Sequence, residues 1–116
     1  VTIFGDGTQS RDFCFIDNVV EANLGAAGAD ASQVSGRAFN VACHAATSLN
    51  QLVAELEILA GHAVPITYAQ ARVGDVKHSL ADISAARAGL GYRAAVPFAE
   101  GLRRTFAWYE AKTRGR

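Results

Sequence analysis

Two arginines stand where this sequence can grip an anion. Arg11 lies between Ser10 and Asp12, just ahead of the apolar run Phe13-Cys14-Phe15-Ile16. Arg72 follows a β-rich run and opens Arg72-Val73-Gly74-Asp75. Each is therefore expected at the end of a β-element, beside a turn. A guanidinium in that place offers a planar fork of donors that matches two phosphate oxygens. Asp75, acceptor-only when ionised, suits hydroxyl donors such as those of a ribose. A plainer arrangement fits the same residues. Arg11 can pair with Asp12 or Asp17, and Arg72 with Asp75, as surface ion pairs worth under about 1 kcal/mol.

Other reactive residue types fall short of a catalytic pattern. Gly5-Asp6-Gly7-Thr8-Gln9-Ser10 begins like a dinucleotide fingerprint, but Ser10 stands at the third glycine position. A strand rather than a helix is expected next, so the helix N-terminus that would hold a pyrophosphate is lacking, and a tight turn is the better reading. Tyr109 and Lys112 are three apart, one short of the spacing at which a lysine faces a tyrosine along a helix. His44, His62 and His78 match no zinc spacing. Ser10, Ser48 and Ser79 lack a nucleophile-elbow context. No catalytic residue and no metal ligand is assigned. Cys14 and Cys43 each sit in an apolar run and are expected to be reduced thiols.

The elements that must position these residues alternate between strand and helix. Residues 1–4 form a short strand closed by the Gly5-Asp6-Gly7 turn. Residues 12–17 hold a buried strand, and Asp17 caps a helix over 18–27. Residues 28–36 are a surface loop and 38–43 a second buried strand. Ser48 and Gln51 have capping-box spacing ahead of a helix whose Leu49, Leu52, Val53, Leu56, Leu59 and Ala60 share one face. Gly61 stops it. A strand follows over 64–69, with Pro65 at its edge, and then a loop over 72–79. A short helix over 80–88 is capped by Asp82 and ended by Gly89 and Gly91. Pro97 opens the last helix at its first helical position. Phe98, Leu102, Thr105, Phe106 and Tyr109 face inward from it; Arg103, Arg104, Lys112 and Arg114 line the other side. This alternation predicts an α/β fold, a small mixed sheet flanked by helices, in one domain over 1–116.

Composition narrows the class. The chain is 50% hydrophobic, too apolar for a disordered tail. Its 11 basic and 11 acidic residues balance, which speaks against nucleic acid as the main partner. No apolar run approaches the roughly 20 residues that span a bilayer, and Val1 to Asp12 lacks the basic flank and long apolar stretch of a signal peptide. The expected setting is the cytoplasm.

Four segments resemble, in order, those of extended short-chain dehydrogenase/reductase proteins. Gly5-Asp6-Gly7-Thr8-Gln9-Ser10-Arg11-Asp12-Phe13-Cys14-Phe15-Ile16-Asp17-Asn18-Val19 is similar to the family's GDG-x-x-SRDF-x-(Y/F)-(I/V)-D-(N/D)-V. Phe39-Asn40-Val41-Ala42 with Thr47-Ser48-Leu49-Asn50-Gln51-Leu52 resembles its (Y/F)N(V/I) strand and T(S/T)(L/V)NEL helix start. Arg72-Val73-Gly74-Asp75-Val76-Lys77-His78-Ser79 resembles R-x-GD(V/I)RHS. Leu90-Gly91-Tyr92, Glu100-Gly101-Leu102 and Trp108-Tyr109 resemble its C-terminal motifs. Among NAD-dependent epimerases and dehydratases of this family, the form is most similar to UDP-N-acetylglucosamine 4-epimerases. UDP-glucose 4-epimerases and dTDP-glucose 4,6-dehydratases are the next neighbours.

The resemblance implies the C-terminal, substrate-binding part of a Rossmann-type fold, with the N-terminal NAD-binding part missing. It implies a UDP-sugar partner, Arg11 and Arg72 on the diphosphate, and Asp75 on the ribose. Phe13 and Ser79 would line the same nucleotide-sugar site. The family's glycine-rich NAD loop, its Tyr-x-x-x-Lys pair and the assisting Ser/Thr are not in this sequence. The chain is thus expected to bind no cofactor and to be inactive by itself, the parent enzyme using NAD for epimerisation at sugar C4. Cys43-His44-Ala45-Ala46 stands where a glycine turn is usual, Lys77 replaces an arginine and Arg93 a proline. The alternative is a stand-alone module or gene remnant without catalysis. Apolar surface left bare, including Phe106 and Trp108, would then drive self-association or binding of another partner.

Overall fold

β1 (Thr2–Phe4) is built from β-branched and aromatic residues, which fill a pleated surface well. It pairs in parallel with β4 (Thr67–Ala69), Thr2 opposite Thr67 and Phe4 opposite Ala69. The pairing runs on at both ends, with Thr67 N donating to Val1 O and Gly5 N to Ala69 O, each at 2.9 Å. β2 (Ser10–Arg11) lies antiparallel to β3 (Thr47–Ser48), with Arg11 opposite Thr47. Ser10 also forms a parallel bridge with His78. The mixed pairing read from the sequence is present, divided between two two-stranded ladders. The structure, a computed structural model, describes residues 1–115.

The helices are α1 (Ile16–Gly28), α2 (Ala31–Val34), α3 (Leu49–Ala60), α4 (Ser84–Leu90) and α5 (Phe98–Arg114). α3 starts as its sequence dictates. Gln51 N donates to Ser48 Oγ at 3.1 Å and Ser48 N to Gln51 Oε1 at 2.9 Å, so two orphan donors are satisfied reciprocally. Gly61, at φ +71°, ends it in the left-handed conformation. Among the described residues no helix is long and apolar enough to cross a membrane.

Several boundaries differ from the sequence reading. The segments at 12–17 and 38–43 are not strands. An apolar run fixes burial, but a strand also needs a neighbour's donors and acceptors, and none among the described residues supplies them here. Their side chains pack all the same: Phe13 against Phe98, Phe39 and Val41 against the core. α1 begins at Ile16, so Asp17 lies in its first turn, and Phe15 takes the cap position without a side-chain bond. The loop over 28–36 contains α2, capped by Asp30, whose Oδ1 accepts from Ser32 N at 2.8 Å. The helix read over 80–88 runs from Ser84 to Leu90, with Ile83 at its cap. Asp82 still accepts from Ser84 N at 2.8 Å, from one residue outside. Gly91 ends the helix at φ +64°, whereas Gly89 stays helical, with the Phe39 ring in the space a Cβ would need. Pro97 sits at the cap of α5, not inside it. Tyr109 and Thr105, read as inward, are exposed.

The core joins Ala22 of α1, Ala86 of α4, Ala42, Ile83 and Tyr92, with Phe39, Val41 and Leu90 against them. Asn18 is buried but fully used: its Nδ2 donates to Val96 O at 2.8 Å and its Oδ1 accepts from Val96 N at 2.9 Å. The molecule is flat, 51 × 39 × 21 Å. Its radius of gyration is 17.0 Å, against about 13 Å for a compact domain of this length. That flatness leaves Ile16, Val20 and Leu24, one stripe of α1, and Trp108 and Tyr109 of α5 exposed.

Candidate functional site

Residues 71–80 are exposed along their whole length, yet β2 fixes their path. Ser10 N donates to Lys77 O at 2.9 Å, Ser79 N donates to Ser10 O at 3.2 Å, and Ser10 Oγ and His78 Nδ1 share a hydrogen bond of 3.0 Å. Gly74, at φ +83°, turns the segment, and Asp75 N donates to Arg72 O at 3.3 Å. The turn brings Arg72 and Asp75 to one groove of about 320 Å³, lined also by Phe4, Asp6, Gln9 and Lys77.

The two arginines are held in different ways. Arg11 Nη2 donates to Asp75 Oδ1 at 2.9 Å, and its Nη1 donates to Ser10 O at 2.8 Å. Arg72 lies over the Phe4 ring, 3.9 Å from its centroid. Thr8 donates side-chain and backbone hydrogen bonds to Asp6, holding that carboxyl below its ordinary value.

The glycine turn behind the groove is clipped to α3. Asn50 N donates to Gly7 O at 3.0 Å and Asn50 Nδ2 to Asp6 O at 3.1 Å. Gly7 is at φ +77°, and the Asn50 amide occupies the place of a Cβ there. A strand follows, not a helix. These residues do not fit the pyrophosphate of NAD.

The structure brings Arg11, Arg72 and Asp75 together but sets Phe13 and Ser79 apart. Phe13 packs on Phe98, ring centroids 5.6 Å apart, in a second, apolar groove of about 540 Å³ shared with Phe15, Leu52 and Trp108. Ser79 is exposed and lines neither groove. The ion pairs read from the sequence do not form; Arg11 pairs with Asp75 instead, and Asp17 with Arg104 at 3.1 Å. Asp12 is already occupied. Its carboxylate accepts from Cys43 N at 2.9 Å, His44 N at 3.0 Å and Ala81 N at 3.3 Å. It thereby holds His44 at φ +56°, the place where the resemblance calls for glycine. Lys112 sits over Trp108 at 4.6 Å, not against Tyr109. Sequence reasoning missed Asp12 and Phe4. Asp12 offered only its position ahead of an apolar run, and Phe4 only its place before a glycine turn.

Cys14 and Cys43 are free thiols near Tyr92. Burial, reinforced by Cys14, pushes the Cys43 thiol up to about 11. Burial also raises the Tyr92 hydroxyl, which donates to Ala42 O at 2.8 Å. Groups held neutral in this way pack rather than react.

Residues 1–42 match the model of the NAD dependent epimerase/dehydratase family. Over 96% of its length the chain is 33% identical to a UDP-glucose 4-epimerase of Mycolicibacterium smegmatis, covering 34% of that protein. Its homologues are UDP-sugar 4-epimerases, and its first 42 residues carry the match to the family model. Its structure superposes, at a TM-score of 0.88 and 29% identity, on UDP-glucuronic acid 4-epimerase from Bacillus cereus in complex with UDP-glucuronic acid and NAD, over 95% of this chain and 35% of that one. UDP-N-acetylglucosamine 4-epimerase from Methanobrevibacter ruminantium, in complex with UDP-N-acetylmuramic acid, gives 0.84 at 32% identity, over 96% and 34%. The chain spans about a third of the length of the relatives it matches, and corresponds to the C-terminal region of their Rossmann-type fold.

Proposed function

We propose that residues 1–116 form the substrate-binding domain of an NAD-dependent UDP-sugar 4-epimerase, inactive by itself and working in the cytoplasm. The observation that carries this reading is the convergence of Arg72 and Asp75 on one groove, with Arg11 bonded to Asp75 at its side. In this reading Arg72 and Arg11 take the diphosphate and Asp75 the ribose hydroxyls. Phe13, two residues beyond Arg11, faces the apolar groove and Ser79 is bonded to Ser10; in this reading they are contacts for the sugar rather than for the nucleotide. The nicotinamide cofactor supplies the redox chemistry and is held by residues outside this chain. UDP-sugars in the relatives' structures support the ligand class.

The test is a calorimetric titration of the chain with UDP, with NAD as control and Arg72→Ala alongside. UDP binds, NAD does not, and the variant binds UDP more weakly by about tenfold or more. An absence of UDP binding overturns the reading.

A second reading is favoured by the exposed rings and stripe. Trp108 is 56% exposed and Ile16 and Leu24 61% each, so the chain is proposed to self-associate. Phe106 is half-buried on α5 and would add to that face. Sedimentation at rising concentration tests this, and a monomer throughout refutes it.

A further inference from the structure

The contrast between the two arginines extends the proposed function, on which the following rests. Arg11 spends both terminal nitrogens on Asp75 and on backbone carbonyls. Among the described residues Arg72 takes part in no ion pair and no side-chain hydrogen bond; it rests on the Phe4 ring. At 3.9 Å from the centroid the guanidinium is seated on the ring face. Stacking uses the face of the cation and leaves the in-plane N–H fork open. A carboxylate partner would orient the side chain too, but by occupying the donors that a ligand needs.

The backbone makes this seat reproducible. Phe4 is the last residue of β1 and is registered opposite Ala69, the last residue of β4. The Gly5 N–H to Ala69 carbonyl bond closes the ladder just past that pair. Arg72 follows Ala69 by three residues, so the ladder that sets the register also sets the arginine over the ring. Phe4 itself is 36% exposed and lines the same groove as Arg72 and Asp75.

We infer that Phe4 is a positioning residue, whose ring holds the Arg72 guanidinium flat so that its donor fork stays open to the diphosphate. The ring acts through Arg72. The inference separates Phe4 from a mere core residue, since its effect on binding depends on the arginine being present.

Two measurements test it. In the free chain, the Arg72 side-chain resonances carry a ring-current shift that is kept in Phe4→Tyr and lost in Phe4→Leu. An unshifted Arg72 in the parent chain overturns the inference. UDP titrations then follow for the parent, Phe4→Leu, Phe4→Tyr, Arg72→Ala and the Phe4→Leu/Arg72→Ala pair. Phe4→Leu weakens UDP by about two- to fivefold, the size of an exposed cation–π contact, and Phe4→Tyr restores it. In the Arg72→Ala background the Phe4→Leu change has no further effect. An equal loss in both backgrounds means that the ring touches the nucleotide directly, and overturns the positioning role alone. No UDP binding by the parent chain overturns the role and the proposed function together.

Discussion

In the groove around Arg72 the key side chains rest on parts of this chain. Arg11 leans on Asp75, Arg72 on Phe4, and Asp6 is tied by Thr8. The groove around Phe13 is furnished differently. Phe15, Phe98 and Trp108 wall it, Arg104 sits at 5.8 Å over the Phe15 ring, and more than half of Trp108 faces outward. Polar side chains can be aimed by single hydrogen bonds and stacking contacts, so a charged site can be complete within a small unit. Apolar surface has no such local remedy; it is stabilised only by being covered. The proposed nucleotide binding and the proposed association therefore rest on separate surfaces of this molecule.

Four experiments sharpen or break that separation. Arg72→Ala has the largest effect on binding: UDP affinity falls by about tenfold or more, the loss of charge-assisted hydrogen bonds. Its melting temperature and sedimentation stay those of the parent, because the exposed side chain touches little besides Phe4. A matching drop in stability would mean that the groove is structural. Trp108→Glu works on the other groove. The proposed self-association weakens by about tenfold or more, the worth of burying an aromatic side chain, while UDP titrations do not change. Loss of UDP binding in that variant would join the two grooves into one site.

Arg11→Ala falls between. It removes an ion pair with Asp75 that is worth under about 1 kcal/mol at this exposure, so stability drops slightly. UDP weakens less than in Arg72→Ala, since the Arg11 fork is already engaged. A larger loss than at Arg72 would reverse the assignment of the two arginines. The smallest effect lies away from both grooves. Cys43 titrates at about 11 in the fold, against 9.0 as its ordinary value. The unfolded thiol therefore loses its proton first as pH rises, so the stability Cys43 contributes is full below pH 9.0 and lost toward 11. Denaturant midpoints across that range decline less in Cys43→Ala than in the parent. Equal slopes would remove Cys43 as the cause.

Much of the frame was legible from residues alone. Ser48 with Gln51 and the apolar face from Leu49 to Ala60 specified α3 and its cap, because capping and 3.6-residue periodicity are local rules. Gly5-Asp6-Gly7 and Gly61 marked turns that glycine alone reaches without strain. The two misread strands show the limit. Phe13-Cys14-Phe15 and Phe39-Asn40-Val41 have the composition of buried strands, yet pairing depends on which segment lies alongside, and composition does not carry that. The site was legible to the same depth. Arg11, Arg72 and Asp75 were singled out by residue type and place, and the fold sets Arg72 and Asp75 in one groove with Arg11 bonded to Asp75, while Phe13 lies in the other groove.

Residue types and spacing alone set two arginines and an aspartate beside turns at strand ends, and the four motifs one after another in order. Which partner each arginine takes was decided only by the tertiary structure. Arg11 meets a carboxylate 64 residues away because the Ser10 to His78 bridge lays 71–80 along β2. Arg72 meets Phe4 because β1 and β4 share a parallel register. Local rules reach a turn or two along the chain. A contact between distant segments is set by the ladder that aligns them, and that alignment forms only when the chain is folded.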